Sequence, residues 1–340
     1  MRKIRRRRNK QRKIIVISLI AFLFIMVGGY AAFQTNLNIT AKGNIVDRSR
    51  VIKSWHENSN EDFHTDYYRE NIVSVTFLDD ARVPGNAVES WDVSETKDRG
   101  VMAYVVQNSE DNTKYDLYIG ANGGVIANED SSYLFSDFRA LNLIEFGDNF
   151  DTVLVVNMTR MFLNCTNLEE LDLSNFDTRN VTSMYAMFGM YDDNSGFLDN
   201  KLVSIKFGNN FKTNNVTNMR SMFTGLTKLE SLDVSGFDTS KVTSMFHMFM
   251  KCESLKTLNL NSFNTSNVID MNQMFAYCEN LTELNLCTFD TSKVTDMKWM
   301  FQQSLKLTQI YVGAKWTIAN ADTTQMFYGS GVSEVTTGQC

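Results

Sequence analysis

Apolar residues recur between Phe150 and Val312 in one pattern about 26 residues long, repeated six times and clearest as FDTSKVTSMFHMFMKCESLKTLNLNS from Phe237 to Ser262. The lead phenylalanines are Phe150, Phe176, Phe211, Phe237, Phe263 and Phe289, and only the step from Phe176 to Phe211 departs from the period, by nine extra residues. Self-similarity at such a period marks units that cannot bury their apolar faces alone and must stack, which predicts a solenoid. Each copy has two halves. The second reads Leu-x-x-Leu-x-Leu, as in Leu255, Leu258, Leu260 and Leu281, Leu284, Leu286, and its terminal alternation predicts a short strand with one buried face. The first places Val242, Met245, Met248, Phe249 and Cys252 at helical spacing, which predicts two to three helical turns. Thr243 stands at the N-cap of that helix, and Asp270 and Asp296 stand one position further on in their copies, where a carboxylate suits the helix dipole. The FDTS tetrad supplies the turn between strand and helix, with Asp and Ser bonding their own backbone.

Twelve of the 18 methionines occupy the two helical Met positions of the six copies, from Met158 and Met161 to Met297 and Met300. Unbranched, polarisable side chains in one slot read as a core ladder filling irregular gaps, not as a binding groove. Partial copies flank the array: SSYLFSDFRALNLIEF before it, and Met326-Phe327 after it. From Val51 to Asn128 the pattern changes. Ile72 to Leu78, Val101 to Val106 and Lys114 to Ile119 are rich in β-branched and aromatic residues and predict strands, and Asn122-Gly123-Gly124 predicts a tight turn. The organisation expected is a basic segment 1–13, a transmembrane helix or signal anchor 14–33, a stalk 34–50, a β-rich N-terminal cap 51–130, the repeats 131–312 and a C-terminal cap 313–340.

The net charge of −6 conceals an asymmetry, because nine of the 33 Lys/Arg lie in residues 1–13, which carry no acid. The twenty uncharged residues from Ile14 to Phe33 have the length of a membrane-spanning helix, and the preceding basic block predicts that this end stays in the cytoplasm and the remainder is exported. Gly29-Tyr30-Ala31 also offers small residues at a signal-peptidase site, so an uncleaved anchor and a secreted product are the two expectations. Of the five cysteines, Cys165, Cys252 and Cys278 share one repeat slot and read as small buried residues, while Cys287 and Cys340 read as free or intermolecular thiols.

The chemistry of catalysis is sparse. His56, His64 and His247 are the three histidines, no zinc spacing or phosphate loop is present, and the single carboxylate of each FDTS turn is too few for calcium. No cofactor or metal is expected, and the acidic body argues against nucleic acid. The remaining candidate site is the polar row on the exposed strand face: Glu170, Asp172, Lys206, Asp233, Asn259, Glu283, Asn285 and Tyr311. A second candidate is the insertion from Gly189 to Lys201, with Asp192, Asp193 and Asn194 at its centre, since loops carry function more often than cores.

The repeated TSxVTxMxxMFxxCxxLxxLxLSxFD, from Ser131 to about Phe327, resembles the Met-Phe branch of the BspA-like leucine-rich-repeat surface proteins of bacteria. WDVSE at Trp91 to Glu95 and KYDLYIG at Lys114 to Gly120 extend the similarity. The resemblance implies an α/β leucine-rich-repeat solenoid, displayed at the cell surface and non-catalytic. It further implies adhesion or protein–protein interaction, with proteins or glycans of host or bacterial surfaces as partners. A structural spacer or coat protein without a specific ligand is the alternative, and a hydrolase hidden in the cap lacks any visible acid/base or nucleophile constellation.

Overall fold

The computed structural model describes residues 37–39, 45–192, 196–338 and 340, in two compact units, Met1–Ser49 and Arg50–Cys340. In the first unit, β1 (Leu37–Ile39) and β2 (Ile45–Asp47) pair antiparallel, so part of the stretch read as a stalk is a two-stranded sheet.

The second unit opens with one short helix, α1 (Asp66–Arg69), whose first turn is capped by Thr65 Oγ1 accepting the Tyr68 N–H. A five-stranded mixed sheet follows in the order β4-β5-β6-β3-β8, built from β3 (Ile72–Leu78), β4 (Glu89–Asp92), β5 (Val101–Gln107), β6 (Tyr115–Ala121) and β8 (Leu143–Glu145). β4, β5 and β6 are antiparallel neighbours, whereas β3 runs parallel to β6 and β8. Because β8 belongs to the first partial copy, this sheet passes directly into the repeats. β7 (Val125–Ile126) and β9 (Phe150–Asp151) pair parallel beside it. Within the repeats, β10 (Glu170–Leu173) pairs parallel with β13 (Ser204–Phe207), and β11 (Tyr191–Asp192) with β12 (Gly196–Phe197) antiparallel across the insertion. β14 (Glu283–Leu286), β15 (Gln309–Val312) and β16 (Thr336–Thr337) form a parallel three-stranded sheet.

The expected α/β leucine-rich-repeat solenoid of short strands and short helices is therefore not the fold. Among the described residues, helix amounts to α1 and two three-residue 3-10 turns, and the strands are divided among six small sheets. The predicted transmembrane helix lies outside the described residues, and among the described residues no helix is long and apolar enough to cross a membrane. The N-terminal anchor, the membrane partner and the surface localisation built on that helix are not retained.

The Met/Phe halves show why the helix does not form. In the copy at Met245, every second N–H leaves its own segment: Met245, His247, Phe249 and Lys251 donate to the carbonyls of Asp270, Asn272, Met274 and Ala276 at 2.8–3.0 Å. The N–H groups between them close four-residue turns, Met248 to Met245 O, Met250 to His247 O and Cys252 to Phe249 O. His247 (φ 57) and Lys251 (φ 60) stand in the left-handed region, which a right-handed helix cannot contain. The same pair recurs at Arg160 and Asn164, Gln273 and Tyr277, and Trp299 and Gln303. Chained turns bring every third or fourth side chain inward, as a helix would, so the apolar spacing is satisfied while half the backbone donors bind the next copy. Parallel bridges at Asp130, Asn157, Ser183, Asn218, Ser244, Asp270, Asp296 and Asp322 mark the same ladder.

All twelve template methionines are fully buried. The phenylalanines behind them stack in series, Phe162 on Phe188, Phe223, Phe249, Phe275, Phe301 and Phe327, with centroids 5.5–5.9 Å apart. Inside the FDTS tetrads a second ladder runs through buried threonines. Thr239 Oγ1 donates to Asn264 O at 3.0 Å and accepts the Asn264 N–H at 2.8 Å; Thr265 does the same with Asp290, at 2.9 and 2.8 Å. Cys165, Cys252 and Cys278 are free and buried, each thiol donating to the phenylalanine carbonyl of the copy before, and Ser304 does so in their slot at 2.7 Å. Cys287 and Cys340, expected as free or intermolecular thiols, form a disulfide with each other.

Candidate interaction site

The polar strand row is divided between two sheets. Glu170 and Asp172 lie on β10, and Asp172 stands opposite Lys206 of β13, whose Nζ reaches Asp172 Oδ2 at 2.9 Å. Glu283 and Asn285 lie on β14, with Tyr311 of β15 opposite Asn285. Asp233 and Asn259 fall between these sheets, in a stretch joined by the single parallel bridge Ser231–Thr257. All are exposed except the half-buried Tyr311.

Four members of the row share a local task. Asp172 Oδ1 accepts from the Ser174 N–H at 2.8 Å, Asp233 Oδ1 from Ser235 at 3.0 Å, Asn259 Oδ1 from Asn261 at 3.1 Å and Asn285 Oδ1 from Cys287 at 3.0 Å. These are Asx turns that close each strand's exit. The bonds from Ser174 and Ser235 hold the Asp172 and Asp233 carboxyls below the usual range. Glu170 and Glu283, which lack such a turn, are the members of the row most available to a ligand.

In the insertion, Asp192 lies on β11 with its carboxylate 3.6 Å from Arg139 Nη2, while Asp193 and Asn194 lie outside the described residues. Its second strand places Phe197 beneath Lys251 Nζ, 5.0 Å from the ring centroid. The insertion crosses Gly225, where a Cβ would approach Met190 O to 2.7 Å and Phe197 Cδ1 to 3.2 Å.

The turn ladder carries a second row, mostly half-buried, that strand periodicity did not reveal. Between the two methionines of each copy stand two residues that differ from copy to copy. They include Arg160, Tyr185, Arg220, Phe246, His247 and Trp299. Arg160 packs between the rings of Tyr133 and Tyr185, and Arg220 lies 4.4 Å from the Phe246 centroid. His247 Nε2 meets Gln273 Oε1 at 2.8 Å, and Trp299 Nε1 donates to Gln325 Oε1 at 2.7 Å. Burial pushes the His247 imidazole down to about 4; the Gln273 bond opposes this, and Arg220 reinforces it. Disagreement between copies at these two positions was the signal available in the sequence. Among the described residues no group of three or more His, Cys, Asp or Glu is placed to hold a metal.

A column of near-identical, hydrogen-bonded copies with variable exposed positions defines a repeat protein. Residues 129–231 and 226–336 match the family described as "Mycoplasma protein of unknown function, DUF285", and the chain belongs to that family. No curated protein and no solved structure matches it.

Proposed function

We propose that this chain is a non-catalytic protein-binding protein, of the adhesive kind that the BspA-like pattern of its repeats implies. The observation that carries the reading is the division of labour within each copy. Met, Phe, Thr and Cys positions held constant by the repeat are buried and occupied in packing or inter-copy bonds, whereas the exposed positions differ. Two rows then present the variable groups. The strand row contributes carboxylates at Glu170 and Glu283, and the turn row contributes the aromatic and Arg residues that dominate protein interfaces.

The test is binding of the purified chain to an array of purified host and bacterial proteins. Discrete binders are expected, weakened about tenfold or more, ~1.4 kcal/mol, by Glu170→Lys with Glu283→Lys or by Tyr185→Ala with Phe246→Ala. Glu170 and Glu283 avoid the Asx turns, whereas Tyr185 and Phe246 pack against Arg160 and Arg220, so unchanged thermal unfolding of each variant is the control that separates lost binding from lost fold. The alternative, an inert spacer, is favoured by the internal use of Asp172, Asp233, Asn259 and Asn285 oxygens; it predicts no discrete binder at all.

A further inference from the structure

Among the described residues, four cations of this chain lie on aromatic rings, and each of the four also meets a carboxylate. Arg160 lies between Tyr133 and Tyr185 and pairs with Glu57, and Arg220 lies on Phe246 with Asp270 at 3.6 Å. Lys251 lies on Phe197 with Glu253 at 3.0 Å, and Lys53 on Trp55 with Glu61 at 2.7 Å. The two parts are complementary: a ring face attracts the cation without using its hydrogens, and the carboxylate then takes them. The cap assembles the same two parts once more. Tyr67 and Tyr68 of α1, Trp91 of β4 and Tyr115 of β6 form one aromatic cluster around the buried Tyr68, whose ring centroid is 5.2 Å from Tyr67, 5.1 Å from Trp91 and 5.4 Å from Tyr115. The Tyr68 hydroxyl donates to Glu89 Oε2 at 2.5 Å, which fixes that carboxylate beside the rings, and the Tyr67 and Tyr115 hydroxyls meet at 2.8 Å. Among the described residues no Lys or Arg lies on these rings. The two bases on adjoining residues are engaged elsewhere: Arg69 Nη2 donates to Ser59 O at 2.6 Å, and Lys114 Nζ to Asn71 Oδ1 at 2.9 Å and Glu70 O at 3.1 Å.

The cluster faces outward. Tyr67 is 55% exposed, Glu89 and Val88 are exposed, Trp91 and Tyr115 are half-buried, and β4 is an edge strand of its sheet. Asp66 and Glu70, both exposed, add negative charge on either side of Tyr67 and Arg69. We propose that Tyr67, Tyr115, Trp91 and Glu89 form a site for an arginine side chain of a partner protein. Charge complementarity and the chain's own four examples identify the occupant: its guanidinium lies on the Tyr67 ring and donates to Glu89 Oε1, while Tyr68 holds Oε2 in place. Arginine suits the site better than lysine, because its planar group stacks on a ring while its edge still donates. The inference rests on the protein-binding reading above but on a different surface, since no member of the strand row or the turn row lies on α1, β4 or β6.

The experiment titrates the ¹⁵N-labelled chain, at constant ionic strength, with the blocked tripeptide acetyl-Gly-Arg-Gly-amide. Saturable shifts at the Tyr67 and Glu89 amides and the Trp91 indole N–H are expected, with a dissociation constant on the order of 10 mM. The matching citrulline peptide, neutral and of the same shape, should leave them unmoved. Tyr67→Leu and Glu89→Gln should each weaken binding roughly threefold or more, whereas Tyr67→Phe, which keeps the ring, should bind as the parent does. Unchanged thermal unfolding of these variants separates lost binding from lost fold. Glu170→Lys with Glu283→Lys should leave the titration unaltered, so the patch and the strand row are read separately. No saturable shift at these groups, equal shifts with the citrulline peptide, or full binding by Tyr67→Leu would overturn the proposal. Saturable shifts with a neutral methyl glycoside and none with the arginine peptide would overturn it in favour of a glycan site.

Discussion

Thr265 shows how much structure one side chain carries here. Its hydroxyl is buried and satisfies both the N–H and the C=O of Asp290 in the next copy. Thr265→Val keeps the shape but orphans two buried backbone groups, so a loss of about 1–3 kcal/mol is expected in urea denaturation, with Thr265→Ser close to wild type. The sequence showed FDTS as a local turn, and the Asp does make one: Asp290 Oδ1 accepts the Ser292 N–H at 3.1 Å. The inter-copy work of the Thr left no trace in spacing, because hydroxyl bonds of this kind have no period of their own. His64 is the second informative residue. It is fully buried on Trp55, with Nε2 at Leu134 O and Nδ1 unpartnered, and burial, aided by Arg69 and Lys53, pushes its pKa well below the usual value. The unfolded chain therefore binds this proton first. Stability is whole above about pH 6.5 and falls as the pH drops below it toward the depressed folded value. His64→Phe should reduce that slope in pH-dependent unfolding, leaving the contribution of His247.

At the scale of elements, the cap strands were legible and the repeat helix was not. β3, β5 and β6 fall where alternation and β-branched residues placed strands, while β4, only four residues long and half-exposed, had too little pattern to be seen. The Met/Phe half failed for a physical reason. Inward spacing of three and four is common to an α-helix and to chained turns, and only backbone hand separates them. The clue lay in the second left-handed position, where Gly225 and Gly329 stand in place of Asn164, Lys251, Tyr277 and Gln303. Glycine in one full copy and again in the partial copy that follows suits a left-handed site and would cost a helix interior about 1 kcal/mol. Gln303→Gly decides between them in thermal unfolding: neutral or stabilising by up to ~1 kcal/mol for the turn ladder, destabilising by about 1 kcal/mol for a helix.

For the whole molecule, the repeat acts as a frame whose constant positions pack and whose variable strand positions face outward. The strand row was readable from alternation, but its division into two sheets and the Asx turns were not, since both depend on where the backbone leaves the strand. The disulfide was equally hidden, because pairing Cys287 with Cys340 requires the chain to return along β15 to β16. Replacing both cysteines by serine opens a loop of 53 residues and should cost up to about 4 kcal/mol in equilibrium unfolding. What remains central is that each Met/Phe segment gives half its hydrogen bonds to its neighbour. The most direct measurement is the NMR coupling across hydrogen bonds in the labelled chain. Coupling from the Phe249 amide nitrogen to the Met274 carbonyl carbon is the result expected; coupling to the Met245 carbonyl, four residues back as in an α-helix, would contradict it.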